Sequence, residues 1–378
     1  MTVFMIFDFL NDITNNIKLL LYKENPSLLE KIDFEDENVF LEPLLFAYFN
    51  SKKDNLFTKE MLTEIMQGYF VEKEPLLVKE SFNNEGVAYL PNLGYFHKNK
   101  TKVDDICIIQ NSSIELLIHS IIHLKTIFKD FNENNIDESK IEISKEFSLK
   151  HVNVLTNALQ YIKTSNKVHY DLIEQCCKKI VLFKTDPKNT NSFATINAHG
   201  IAFFNVYQEN YDEVFFVDDI AHQTGHIIMT TILFERKKYF LIDENQNIGT
   251  FTKNKSEYRS FYILFHALYT YYTTFLCLDA CLGNNCFNIK QIHEAKGRIG
   301  FYLQKCKMDL MNFQKVVDYY NGINNILSCD GIEIFQNIAN KYFEVLKKHE
   351  EVTLFKYKNQ PYNFTYSEFV KLNPLNND

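Results

Sequence analysis

The stretch DDIAHQTGHIIMT, Asp218 to Thr230, decides how the chain is read. On a helix, residues four apart stand one turn above another on the same face, so His222 and His226 converge and Asp218 extends their stripe. Two imidazoles so placed can reach one metal ion, and a carboxylate one turn away can orient one of them. Gly225, between the histidines, costs about 1 kcal/mol of helix propensity relative to Ala. A close approach by another backbone or by a ligand accounts for its presence. The chain supplies its own control: His119 and His123, in ELLIHSIIHLKTIF (Glu115 to Phe128), have the same spacing. Their aliphatic neighbours predict one side of a packed helix, so spacing alone does not define a site.

Outward from that stretch, the preceding runs KKIVLFKT and FATINAHGIAFFNVY are rich in Val, Ile and Phe, with Gly200 splitting the second. They read as a short antiparallel hairpin. Apolar residues before about Lys129 recur mostly at helical spacing, and a further helix is expected from about Leu149 to Cys177. Polar NENNIDESK, Asn132 to Lys140, is the candidate loop between a helical region, 1–131, and a region 141–378 that carries the motif. After the motif, ERKKYFLID suggests another strand, a long helix starts near Ser256, and further helices follow. The expected class is therefore mainly α with a small antiparallel β region (α+β).

Composition narrows the function. With 378 residues, 46% of them hydrophobic, and a formal charge of −8, the chain has ample core and no basic field for nucleic acid. The apolar start is interrupted by Asp8 and has neither a basic flank nor a small-residue cleavage site, so no secretion signal is expected. Phe261 to Leu282 approaches the length of a membrane span but contains His266 and Asp279 among its Tyr and Thr, and reads as a buried helix. No membrane association is expected. Eight cysteines without a C-x-x-C pair fit a reducing cytoplasm, and Cys277, Cys281 and Cys286 read as structural thiols.

Gln223 occupies the position where a zinc peptidase with an H-E-x-x-H helix keeps its general base, and a neutral amide cannot take a proton from metal-bound water. Downstream, SEYRSFYILFHALYTYY carries Arg259 and His266 seven residues apart, two helical turns or roughly 10.5 Å along an axis. A small dicarboxylate chelated at His266 would present its far end to that guanidinium. Tyr258, Tyr262 and Tyr269 lie near the same faces. Glu244, Glu257 or Asp279 are alternative third ligands, since a two-histidine, one-carboxylate set is the commoner iron triad; His266 ranks first because it shares a helix face with Arg259.

The order of hairpin, DDIAHQTGHIIMT and YRSFYILFHALYTYY resembles the HExxH-type 2-oxoglutarate-dependent peptide β-hydroxylases associated with ribosomally made, modified peptides. The likeness covers roughly His151 to Leu310. It implies Fe(II) held by His222, His226 and His266, 2-oxoglutarate clamped by Arg259, dioxygen as co-substrate, and a precursor peptide as substrate; the helical N-terminal region, which the likeness does not cover, is the expected place for recognising that peptide. Gln223 departs from the family's glutamate. Two other readings stand beside it: a zinc-dependent peptide hydrolase of gluzincin type, with Glu244 or Glu257 as third ligand, and a non-catalytic helical binding protein.

Overall fold

Short strands, four of them buried at every position, organise the first part of the chain, and capped helices the second. The computed structural model describes residues 3–50, 57–130, 141–254 and 256–375. Among these, seven helices have ten or more residues: α1 (Val3–Glu24), α2 (Lys145–Ser165), α3 (Lys167–Cys176), α4 (Glu213–Ile232), α5 (Phe261–Gly283), α6 (Ile289–Tyr319) and α7 (Cys329–Lys348). The strands are β1 (Val87–Leu90), β2 (Gly94–His97), β3 (Lys102–Asp104), β4 (Cys107–Ile108), β5 (Glu115–Leu117), β6 (Lys179–Phe183), β7 (Phe193–Ala194) and β8 (Ile201–Asn205). With 59% helix and 11% strand the class is mainly α, as the sequence suggests.

Two compact units result: Thr2–Thr156 with Leu172–Tyr211, and Asn157–Asp171 with Asp212–Asp378. The division falls within α2 and α3, and the polar stretch 132–140 lies outside the described residues.

In the first unit, β1, β2 and β3 form an antiparallel sheet, and β4-β5-β6-β8-β7 a mixed one. Three expectations are corrected here. The region before Lys129 is not uniformly helical, because five of the strands fall within it. Its apolar runs are too short for periodicity to separate strand from helix, and the turn that pairs β1 with β2 is marked by Asn92 and Gly94 in left-handed backbone, at φ 61° and 101°. Next, β6 does not form a hairpin with the following run: it pairs in parallel with both β5 and β8, and the antiparallel hairpin lies within the second run, between β7 and β8. KIVLF and IAFFN are buried at all five positions each. That is the signature of strands covered on both faces, which unbroken apolar runs in parallel sheets provide. Finally, ERKKYFLID is no strand: Leu233–Lys238 is a 3-10 helix, and Phe240 makes a single bridge to Leu327.

His119 and His123 do not share a helix face either. His119 follows β5 and pairs with Asp104 at 2.8 Å, while His123 sits in a 3-10 turn with Nε2 3.3 Å from Ser81 Oγ. A buried cluster holds the same unit together: Lys179 Nζ lies 2.7 Å from Glu115, 3.2 Å from Glu42 and 2.8 Å from Tyr89 Oη. A fully buried lysine stays charged there because two carboxylates face it.

The second unit is helical, and each long helix begins at a cap that its sequence supplies. Asp212 accepts from Val214 N at the head of α4, Ser260 from Ile263 N at α5, and Asn288 with Gln291 forms a reciprocal capping box at α6. Among the described residues α5 alone is long and apolar enough to cross a membrane, and 72% of its most apolar window is buried against the rest of the protein. Cys277 and Cys281 are fully buried thiols on that helix, and Cys286 is partly exposed.

Gly225 lets α4 and α5 approach. A Cβ there would stand 2.4 Å from Thr273 Oγ1 and 3.3 Å from its Cβ, and that hydroxyl donates to Ala221 O at 2.8 Å across the helix pair. The helix on the other side is therefore what tolerates, and requires, the glycine. Gly225→Ala is expected to destabilise by about 1–3 kcal/mol through overpacking, outweighing the roughly 1 kcal/mol gained in helix propensity. Urea denaturation of Gly225→Ala alone and with Thr273→Ala checks this; the alanine should cost less once the hydroxyl is gone, and a stabilised single variant would refute the packing account.

Candidate functional site

α4 carries His222, His226 and Thr230 at successive turns, all partly exposed, in a helix otherwise mostly buried. They stand along the seam where α4 meets α5, which we term the histidine crevice. His266, buried at 7% exposure, enters it from α5. Its Nδ1 lies 3.1 Å from Nδ1 of His226, and the two rings stack within 15° at 5.3 Å. Thr230 Oγ1 stands 3.4 Å from His266 Nε2, and Tyr262 packs its ring 4.9 Å from the imidazole. Which nitrogen carries the proton depends on the tautomers, and a Thr230 hydroxyl donating to Nε2 leaves His266 Nδ1 as the donor to His226. His222 meets His226 edge-on at 5.2 Å and lies nearly parallel to Tyr302 at 5.6 Å. Its Nδ1 is buried without a hydrogen-bond partner.

All three imidazoles are neutral near pH 7. Burial lowers the His226 pKa to about 4. His222 and His266 fall well below the usual range, through burial first, then the neighbouring His226, with Lys305 and Arg236 respectively contributing. Neutral imidazole is the form that binds a metal.

Behind His222 lies a buried ionic core. Arg298 on α6 donates to Asp218 at 2.7 Å and to Glu294 at 2.8 Å, with all three side chains 5% exposed or less. Asp218 thus spends one oxygen on a cation instead of on a histidine, and Oδ1 has no hydrogen-bond partner. Lys305, two turns further along α6, has its pKa lowered to about 8 by burial, and donates to the Tyr362 carbonyl at 2.6 Å. Gln223 points its amide into the buried face of α4, where Oε1 is likewise unpartnered.

Arg259 precedes α5 and is not on it, so the two-turn spacing to His266 does not apply. Ser260 is the cap, and Asn247 bridges to it. Every nitrogen of the guanidinium is engaged: Nε and Nη2 donate to Glu257 at 2.9 and 2.7 Å, and Nη1 and Nη2 to Asp309 at 3.0 and 2.7 Å. The three carboxylates considered as third ligands are also held by cations: Glu257 by Arg259, Glu244 by Arg236, and Asp279 by Lys341 and Lys348, with His349 Nε2 a further partner of Asp279 at 2.8 Å. Of the tyrosines, Tyr262 lines the crevice, Tyr258 is 81% exposed, and Tyr269 is buried against Tyr272.

With metal–nitrogen bonds of about 2.1 Å, two nitrogens on one ion stand about 3.0 Å apart at right angles and about 3.4 Å apart in a tetrahedron. The His226–His266 separation falls in that range, but the contact is a hydrogen bond in which one Nδ1 carries the proton, so the two lone pairs do not converge on one ion. Among the described residues no group of three or more His, Cys, Asp or Glu side chains is arranged to hold a metal ion. The residues as they stand do not form the three-histidine set. A cavity of about 410 Å³ in the other unit, lined in part by Asn83, His119 and Phe128, borders none of these residues.

The sequence reading missed Thr230, Tyr302, Arg298 and Lys305. Thr230 was visible as the next step of the 222, 226 stripe, and Arg298 as a charge within the apolar run GRIGFYL. No protein-family model matches the chain, and no curated protein matches it.

Proposed function

We propose that the crevice between α4 and α5 is a metal centre built on His226 and His266, and that the protein is an Fe(II)- and 2-oxoglutarate-dependent oxygenase hydroxylating a β-carbon of a ribosomally made precursor peptide. One observation carries the reading: a motif histidine and the histidine forty residues later meet with Nδ1 atoms 3.1 Å apart. His222, its Nδ1 without a partner one turn away, is the imidazole that a rotation of its ring would add to that pair. The iron would supply the activation of dioxygen; the chain's own residues supply neutral donors, ring stacking that fixes their orientation, and Thr230 and Tyr262 at the outer edge of His266.

Anaerobic titration with Fe(II), followed by 2-oxoglutarate, tests this. Wild type is expected to bind one iron and to develop the visible charge-transfer band of the chelate, and His266→Ala to bind iron at least about tenfold more weakly. Zinc-dependent peptide cleavage would favour the hydrolase, against which Gln223 stands. The absence of stoichiometric metal would favour a non-catalytic helical binding protein, a reading that the open third position and the occupied Arg259 support.

A further inference from the structure

We propose that Arg236, not Arg259, is the guanidinium that takes an organic carboxylate at the histidine crevice. The proposal rests on the reading of that crevice as a ligand site and deepens it by naming the group that selects an anionic small molecule.

The two arginines differ in what they have left to give. Arg259 sits between two carboxylates, so its cluster carries a net charge of −1, and a third carboxylate would have to displace Glu257 or Asp309 from bonds of 2.7 to 3.0 Å. Among the described residues Arg236 faces one carboxylate, Glu244, at a long 3.5 Å. Its side chain is 37% exposed, compared with 27% for Arg259. Lys238, two residues on, is paired with Glu235 at 2.7 Å, so neither of them competes for Arg236.

Position agrees with charge. The 3-10 turn that ends α4 brings Arg236 back over Tyr262, its Cζ 4.0 Å from the ring centroid, and the same ring lies 4.9 Å from His266. Stacking on an aromatic face holds a guanidinium flat and leaves its donor edge available for bidentate contact with a carboxylate.

The test is isothermal titration calorimetry of metal-free protein with succinate and with 2-oxoglutarate. Wild type is expected to bind both saturably. Arg236→Met should weaken binding at least tenfold, Arg236→Lys should weaken it less, and Glu244→Gln, which removes the competing carboxylate, should tighten it severalfold. Arg259→Met, where it remains folded by circular dichroism, should bind within about threefold of wild type. Binding that survives Arg236→Met, binding that is lost in folded Arg259→Met alone, or no saturable binding by wild type would each overturn the assignment. Iron stoichiometry measured on the same preparations separates the two failures: iron without anion binding removes Arg236 and leaves the metal centre, and anion binding without iron does the reverse.

Discussion

Lowering the pH from about 6.5 to about 4 is expected to unfold the protein cooperatively, and buried histidines outside the candidate site are enough to cause it. His123, His169 and His199 are 4% exposed or less, and burial lowers the pKa of each to about 4. In the unfolded chain each titrates near about 6.5. Between those values the unfolded chain binds more protons than the native one, so stability falls as pH falls; above about 6.5 both forms are neutral and the contribution is flat. A displacement from about 6.5 to about 4 is worth about 3 kcal/mol per histidine when complete. Three such groups together approach the whole stability of an ordinary domain. Urea midpoints measured at half-unit steps from pH 8 to 4 check this. A profile flat to pH 5 would show that these imidazoles are not neutral because of burial.

Replacing Arg298 with methionine is expected to cost about 3–5 kcal/mol, because it leaves the buried Asp218 and Glu294 carboxylates facing each other without their shared cation. The methionine itself fits, since the guanidinium already lies over the rings of Phe215 and Phe364 at 5.6 and 5.0 Å. Most of the loss should return when Asp218→Asn and Glu294→Gln are added, since neutral amides no longer demand a counter-charge. Denaturation at pH 8 measures both. A loss under about 1 kcal/mol in the single variant, or no recovery in the triple one, would show that the ion pairs are incidental to the packing of α4 on α6.

How much of this was legible beforehand differs by element. The helix at Glu213–Ile232 was readable because apolar residues, an acidic first turn and an Asp cap all agree there. The start of α5 was misplaced by about five residues: helical spacing runs through SEYR, but the Ser260 cap and the bridge to Asn247 hold that stretch out of the helix. The error moved Arg259 from a helix face into a loop, and with it the assumed line to His266. Short strands before Lys129 were read as helix because runs of three or four apolar residues carry no period.

Two contacts could not be read at all. That Arg259 meets Asp309, fifty positions away, and Arg298 meets Asp218, eighty positions away, depends on the crossing of helices, which local pattern does not encode. The pairing of β6 with β8 was likewise set by which faces became covered.

By itself the sequence determined the mainly helical class, the placing of His222 and His226 on one helical stripe, and the removal of the H-E-x-x-H base by Gln223. These follow from local spacing and side-chain chemistry. Tertiary structure decided that His266 meets His226, that Gly225 serves helix packing, and that Arg259 is spent on Glu257 and Asp309 while Arg236 stacks on Tyr262. Those outcomes depend on how close two helices come and on which charges the approach buries together, and a glycine and a threonine on facing turns set that distance.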